Sequence, residues 1–481
     1  LAQKTARPTG ADAFLEGFFK LKEAGTNVRT EVLAGLTTFV VMSYIIFVNP
    51  IILSTPDANG QGLAISATTT ATCLVAGIMT IIMALVTNKA YAIAPGMGLN
   101  AIVAFTLVGQ EGLTYPEAMG VIVAQGILIT LLVIFGVRKY VMDAVPLELK
   151  QGISVGIGLF ILFIGLVNGG IVVADPGTMI ALGDLRGAPV LVTVVGLAVT
   201  LALLSRSTKA AILIGILVST VFAIIVEAIA DTGQFVPGQA KMPGSIVATP
   251  DFSTIGDFSF NFFAEMGLTV AILTILAIML ADFFDTMGTL VGVGSQAGYL
   301  NEKGELPDAN RALLVDSLSA VAGGAASSSS ATTYIESAAG VGQGGRTGLV
   351  GIVAGVLFLL AMPFTPLVEV VPTSATAPAL IVVGWMMTSV LSDRETVTSD
   401  GRIVKSEGVD FTNIETGLPV LVTMIMMPFT YNITNGIGAG FIVWTAIKIF
   451  RGKFNEIHPA MYVVSVAFII YFLRSYLGVS A

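Results

Sequence analysis

Apolar stretches long enough to cross a bilayer follow one another down almost the whole chain, separated by short polar breaks. A helix needs about 20 apolar residues to span the hydrocarbon core, fewer if it is broken. Such stretches run at roughly 32–53, 64–87, 91–109, 116–136, 147–167, 188–205, 209–230, 264–292, 309–325, 329–344, 347–371, 374–392, 413–430 and 431–450. A further one lies at 458–477. They predict an all-α polytopic membrane protein with fourteen transmembrane spans and a C-terminal extra. Composition agrees, because only 11% of the 481 residues are charged, against about 25% in an ordinary globular domain. So little charge cannot cover two or three soluble domains, which argues against a soluble enzyme.

The distribution of positive residues tests the count. With a cytoplasmic N-terminus and fourteen alternating spans, 20 of the 23 Lys+Arg fall inside, only Arg186 and Lys241 fall outside, and Arg474 in the last apolar stretch is assigned to neither side, as the positive-inside rule requires. A wrong count would scramble that alternation. The expected layout is a cytoplasmic segment at 1–31 without a cleavable signal peptide, spans one to seven over 32–230, and spans eight to fourteen over 264–450. The plasma (inner) membrane is the expected location. The single Cys73 excludes an internal disulfide or a cysteine metal site, and the single His458 excludes zinc triads and histidine proton relays. The net charge of −8 does not suit nucleic-acid binding. Proton chemistry inside the membrane therefore falls to carboxylates.

Internal repetition points to a class of function. Gly187–Thr193 and Gly417–Thr423 match at six of seven positions, 230 residues apart, and open the sixth and thirteenth segments. Seven spans is an odd displacement, so the second copy enters the membrane inverted, as in secondary transporters whose sites lie between the halves. The third and tenth segments are broken at corresponding places. Pro95 lacks a backbone donor and disfavours a helical Ala94, so a short extended piece should lead into a half-helix starting near Pro95. In the tenth segment the small hydroxyl residues of Gly323–Glu336 suit a second half-helix start. Unwound backbone survives in lipid only where it is buried in protein or lines a cavity. Paired half-helices would point their N-terminal dipoles at a central site.

Three carboxylates stand in apolar surroundings. Asp282 and Asp285 share one helix face by their spacing, and Glu336 follows the break in segment ten. Each costs roughly 2.5–3.5 kcal/mol at mid-membrane, and no Lys or Arg lies in these spans to neutralise it. Asp316 reads as structural, paired with Arg311 or near the cytoplasmic face. Several carboxylates without a cation disfavour an anionic substrate and suit a planar heterocycle with N–H donors on its edge. Phe283, Phe284 or Tyr44 could stack on the ring, Asn100 could read a mixed edge, and a buried acid could carry a proton.

Four stretches in order carry a family resemblance: Arg29–Phe39 continuing to Val48-Asn49-Pro50, Ala94–Asn100, Ala281–Thr286 and Thr333–Gly340. They resemble the AzgA-like purine permeases of the nucleobase:cation symporters, which have the nucleobase–ascorbate transporter fold. The resemblance implies a 7+7 inverted repeat, with a core domain from spans 1–4 and 8–11 and a gate domain from spans 5–7 and 12–14. Spans three and ten would carry short antiparallel strands leading into half-helices. It further implies proton-coupled symport of adenine, guanine or hypoxanthine, with no cofactor beyond the coupling proton. Asp282 and Glu336 would bind substrate and exchange protons, with Asp285 and Asn100 in support. Thr333, Ile335, Phe283 and Gly98, within or beside these motifs, complete the expected substrate site. A homodimer is compatible with this reading. The rivals are another substrate such as uracil, xanthine or ascorbate, an ion channel, and a Mg-dependent prenyltransferase suggested by Asp282-x-x-Asp285.

Overall fold

The computed structural model describes residues 10–136, 144–301, 306–391, 394–397, 403–406 and 408–473. Lys4, Arg7, Arg138, Lys139, Lys303, Arg402 and Arg474 of the charge count, and 474–477 of the last apolar stretch, lie outside them. A short helix α1 (Gly10–Phe19) precedes α2 (Val28–Met42) and α3 (Ile45–Leu53), which together make the first rod. Asn27 caps α2 by accepting from Thr30 N at 3.0 Å. Next come α4 (Ile65–Thr87), strand β1 (Ile93–Pro95), the half-helix α5 (Met97–Ala101) continuing in wide turns to Val108, and α6 (Tyr115–Ile134). After α7 (Leu147–Asn168) and the hairpin β2 (Val172–Asp175) and β3 (Met179–Leu182) come α8 (Ala188–Ser205) and α9 (Ala211–Ala230).

The second half begins with the long α10 (Leu268–Ala297), then α11 (Ala309–Ala325), strand β4 (Ala331–Thr333), α12 (Ser337–Val341) and α13 (Leu349–Ala361). It ends with α14 (Thr373–Thr388), the hairpin β5 (Arg394–Val397) and β6 (Ile403–Ser406), α15 (Gly417–Phe429), α16 (Ile433–Phe450) and α17 (Pro459–Phe472). Among the described residues, ten helical stretches are long and apolar enough to cross a bilayer, and three shorter ones are apolar. At about 1.5 Å per residue, the 14 residues of α17 fall short of a full crossing. It packs on α16 through the Phe441 and Phe468 rings and a 2.8 Å Thr445–Ser465 hydrogen bond.

The chain crosses itself at the two strands. β1 and β4 pair antiparallel, Ile93 with Thr333, Ala94 with Thr332 and Pro95 with Ala331. Gly96 N donates to Ser330 O at 2.8 Å and Tyr334 N to Ala92 O at 2.9 Å, extending the ladder at both ends. The matching heptapeptides also behave alike. Each opens a helix, and the buried Thr193 and Thr423 return their hydroxyls to the prolines four residues earlier, Pro189 O and Pro419 O.

Helix packing sorts into two groups. One comprises α2–α6, α10–α13 and the strand pair; the other comprises α7–α9 and α14–α17. Reciprocal glycines set two close crossings. A Cβ on Gly77 of α4 would lie 2.9 Å from Gly355 O of α13, and one on Gly355 would lie 2.6 Å from Gly77 O. In the second group Gly158 of α7 and Gly384 of α14 meet in the same way, at 2.8 and 2.4 Å. Such backbone approach supplies dispersion contact where lipid leaves no hydrophobic drive between helices.

One long connection, residues 231–262, ties the groups together. Gln234 Oε1 accepts from Ala188 N at the start of α8, and Ala240 N donates to Val370 O just before α14. Ala248 N then reaches Pro363 O, Asp251 engages Ser66 and Thr70 of α4, Gly256 N donates to Ala325 O, and Ser259 N to Pro116 O. Ser327 Oγ donates to Asp257 O at 2.9 Å, only three residues before Ser330.

Candidate functional site

Polar groups gather where the strand pair meets α3, α6, α10 and α11. Asp282 of α10 is 1% exposed, and its Oδ2 accepts from Gln125 Nε2 of α6 at 2.9 Å and from Ser330 Oγ at 2.8 Å. Its Oδ1 is buried without a partner. One turn along, Asp285 is half-buried and within electrostatic reach of Asp316 and Glu336. Glu336 sits at the other end of β4, half-buried, with Oε1 accepting from the hydroxyl of the fully buried Tyr44 at 2.7 Å. Asp282 and Glu336 thus flank the two ends of one three-residue strand, with Asp285 between them along α10.

Asp316 of α11 joins this set of acids. Its carboxylate accepts from Thr286 Oγ1, Thr333 N and Thr333 Oγ1, each at 2.7 Å, and from Thr332 Oγ1 at 3.4 Å. The alternative pairing with Arg311 is not what the carboxylate makes. Five residues turn a helix through about 140°, so the two side chains leave opposite sides of α11. Asp316 instead fastens β4 and α10 to α11. Among the described residues no Lys or Arg pairs with Asp282, Asp285, Asp316 or Glu336.

The other expected site residues divide by what they touch. Asn100 is fully buried on α5 and donates from Nδ2 to Asn49 Oδ1 at 3.0 Å. Gly98 lies where α5 meets α7, and a Cβ there would approach Ile157 Cγ2 to 2.5 Å. Thr333 is committed to Asp316, whereas Ile335 is 42% exposed beside Gly292. Phe283 is buried edge-on to Phe284; as the neighbour of Asp282 it points about 100° around the helix from it. Two amides escaped the sequence reading: Gln125, which holds Asp282, and Asn49, which holds Asn100. A lone amide within an apolar helix was the available signal, weaker than that of a carboxylate. Ser327 and Ser329 have φ of 55° and 70°, a left-handed backbone that non-glycine residues adopt at a cost and that clusters at functional sites.

A cavity of about 310 Å³ lies elsewhere, at the helix ends near Trp444, Lys448, Glu415 and His458. Two of its acidic walls are already paired, Glu415 with Lys448, Arg451 and Lys453, and Glu456 with Lys448. The acids around β4 are the better candidate.

The sequence signature of the Permease family (Xan_ur_permease) matches residues 29–404, which contain every one of these groups. The chain belongs to this family. It is a multi-pass membrane permease, not an enzyme, and the four motifs read from the sequence belong to the nucleobase–ascorbate transporter family. The permease is 39% identical to the adenine permease AdeP of Escherichia coli (strain K12), over 96% of each chain. It is likewise 39% identical to the guanine/hypoxanthine permease PbuG of Bacillus subtilis (strain 168), covering 95% of this chain and 99% of that one. Among solved structures, the transmembrane domain of the cyanobacterial bicarbonate transporter BicA matches with a TM-score of 0.58 at 15% identity, over 85% of this chain and 97% of that one. SLC26A9 matches with a TM-score of 0.57 at 11% identity, over 92% and 69%. At such identities these two speak for the 7+7 fold class alone.

Proposed function

We propose that this permease imports purine nucleobases across the plasma membrane, coupled to protons, by alternating access. The observation that carries the reading is the row of buried and half-buried acids around β4, with no cationic partner among the described residues. A neutral heterocycle with N–H donors fits such a row, and an anion does not. Relatives named for adenine and for guanine/hypoxanthine support the substrate class.

In this reading Asp282 and Glu336 bind the base and exchange the coupling proton, with Asp285 and Asn100 in support and no other cofactor. The first helix group is the core and the second the gate, within fourteen spans whose N-terminus is cytoplasmic. A homodimer is compatible with this arrangement. The test is uptake of radiolabelled purines into cells or proteoliposomes with and without a proton gradient. Asp282→Asn and Glu336→Gln should each abolish saturable uptake while the protein still reaches the membrane. Wild-type uptake by both variants would overturn the site, and gradient-independent accumulation would overturn the coupling.

A further inference from the structure

We propose that two hydrogen-bond relays lock Asn100 and Gln125 as acceptors, so that the site reads N–H donors and selects guanine over hypoxanthine and adenine. The inference rests on the purine reading above and deepens it.

The first relay starts at a group that can only accept. Thr72 Oγ1 donates its one proton to Thr68 O in the helix, at 2.6 Å. Toward Asn49 the same oxygen can therefore only accept, and Asn49 Nδ2 faces it at 2.8 Å while also reaching Ser328 O at 3.1 Å. With its amide nitrogen spent, Asn49 turns Oδ1 to Asn100, which must answer with Nδ2, at 3.0 Å. Asn100 Oδ1 is left over, buried and without a partner. An amide flip anywhere along this line would set two acceptors or two donors against each other.

The second relay starts at the carboxylate. Asp282 Oδ2 takes the proton of Ser330 and one proton of Gln125 Nε2, and Ser330 Oγ accepts from the same Nε2 at 3.1 Å. Gln125 Oε1 and Asp282 Oδ1 are left over, both buried and unpartnered. Close packing holds Gln125 in place. A Cβ on the adjacent Gly126 would lie 2.8 Å from Val321 N of α11, and one on Gly324 would lie 3.0 Å from Val123 N of α6. Ser328 and Ser330 belong one to each relay, so two residues of chain, at most about 7 Å, hold the relays side by side.

While Asp282 is ionised, before it takes up the coupling proton, these three buried oxygens can only accept and so demand donors, because an unmet buried acceptor is costly. Guanine carries two adjacent donors on one edge, the ring N1–H and the exocyclic amino group. Hypoxanthine is the same ring without that amino group. Adenine sets one amino group beside an unprotonated ring nitrogen, whose lone pair would face an acceptor.

The test is binding of guanine, hypoxanthine, adenine and uracil to the purified full chain at one pH, by calorimetry or thermal stabilisation, with Thr72→Val and Thr72→Ser alongside. Guanine should bind at least about tenfold tighter than hypoxanthine, as expected where a site built around an N–H loses it. Thr72→Val removes one of the two acceptors that hold Asn49 Nδ2, leaving Ser328 O alone to set the amide's orientation, and should lower the guanine-to-hypoxanthine ratio, while Thr72→Ser keeps the wild-type ratio. A merely structural Thr72 would weaken both bases alike. Equal affinities in the wild-type protein, or tightest binding of adenine, would overturn the inference and leave the purine reading standing. Binding of uracil but of no purine would overturn that underlying reading. Stabilisation by sodium without any base would assign the three oxygens to a cation and also overturn the inference.

Discussion

Gly98→Ala tests the contact between the half-helix α5 and α7, which belong to different helix groups. The added Cβ would stand 2.5 Å from Ile157 Cγ2, about 0.9 Å inside the 3.4 Å where ordinary contact begins. Nothing else crowds it, since the next neighbour, Ile157 Cβ, is 3.9 Å away. Ile157 is 3% exposed, so the methyl has no free space to enter and the helices must part or Ile157 must leave its rotamer. Overpacking of this kind costs about 1–3 kcal/mol. Ile157→Ala removes the obstructing methyl but leaves a cavity, at about 2–5 kcal/mol. The double variant should be more stable than the sum of the two losses, with a coupling of at least about 0.5 kcal/mol. Denaturation of the four proteins in detergent measures this, and uptake into proteoliposomes should follow the same order. If Gly98→Ala costs the same with and without Ile157, the two residues do not touch and the described meeting of α5 with α7 is wrong.

Two further expectations concern groups away from the acids around β4. Glu31 is fully buried in the first turn of α2 and accepts from Arg346 N at 2.7 Å, Thr347 N at 3.2 Å and Thr347 Oγ1 at 2.7 Å. Glu31→Ala strands these donors and should destabilise the protein by about 3 kcal/mol or more; an unchanged melting temperature would refute it. Lys448, Lys453 and Arg451 around Glu415 pull its carboxyl from the usual 4.5 down to about 2. A depressed folded-state value means stabilisation that is complete above pH 4.5 and lost as the pH falls toward 2. Glu415→Gln should therefore melt earlier at neutral pH, with the gap closing between pH 4.5 and about 2; a gap independent of pH would rule out the charged cluster as its source.

The helical segments were legible because hydropathy alone marks them. The expected 188–205 and 309–325 coincide with α8 and α11, and the strand at Ile93–Pro95 follows from what Pro95 forbids. The half-helix begins two residues later than expected, at Met97, because Gly96 is still extended and donates to Ser330 O. The acids announced themselves through their transfer cost. Their partners did not, because Gln125 lies 157 residues from Asp282, and Tyr44 lies 292 from Glu336. Helical periodicity describes neighbours a turn apart and is silent on such pairings. Asn49 and Gln125 were hidden for a further reason, since neutral amides cost less to bury than charges do. Gly98 stood in a recognised motif, but its approach to Ile157 depends on how two distant helices lean together.

The stitched connection between α9 and α10 has a mechanical corollary. From residue 235 to 247 it is fastened to the rest of the described chain by one bond, Ala240 to Val370, whereas from Ala248 to Ser259 it is fastened at every few residues to the body that bears Asp282. If the two bodies slide, this side of the molecule behaves as a leash whose play is the seven residues 241–247 between the anchors at Ala240 and Ala248, and the end at Gly256–Asp257 travels with the serine loop. A bulky insertion in the loose stretch should be borne quietly. Shortening that stretch should stall uptake of labelled purine while leaving purine binding to the purified protein unchanged.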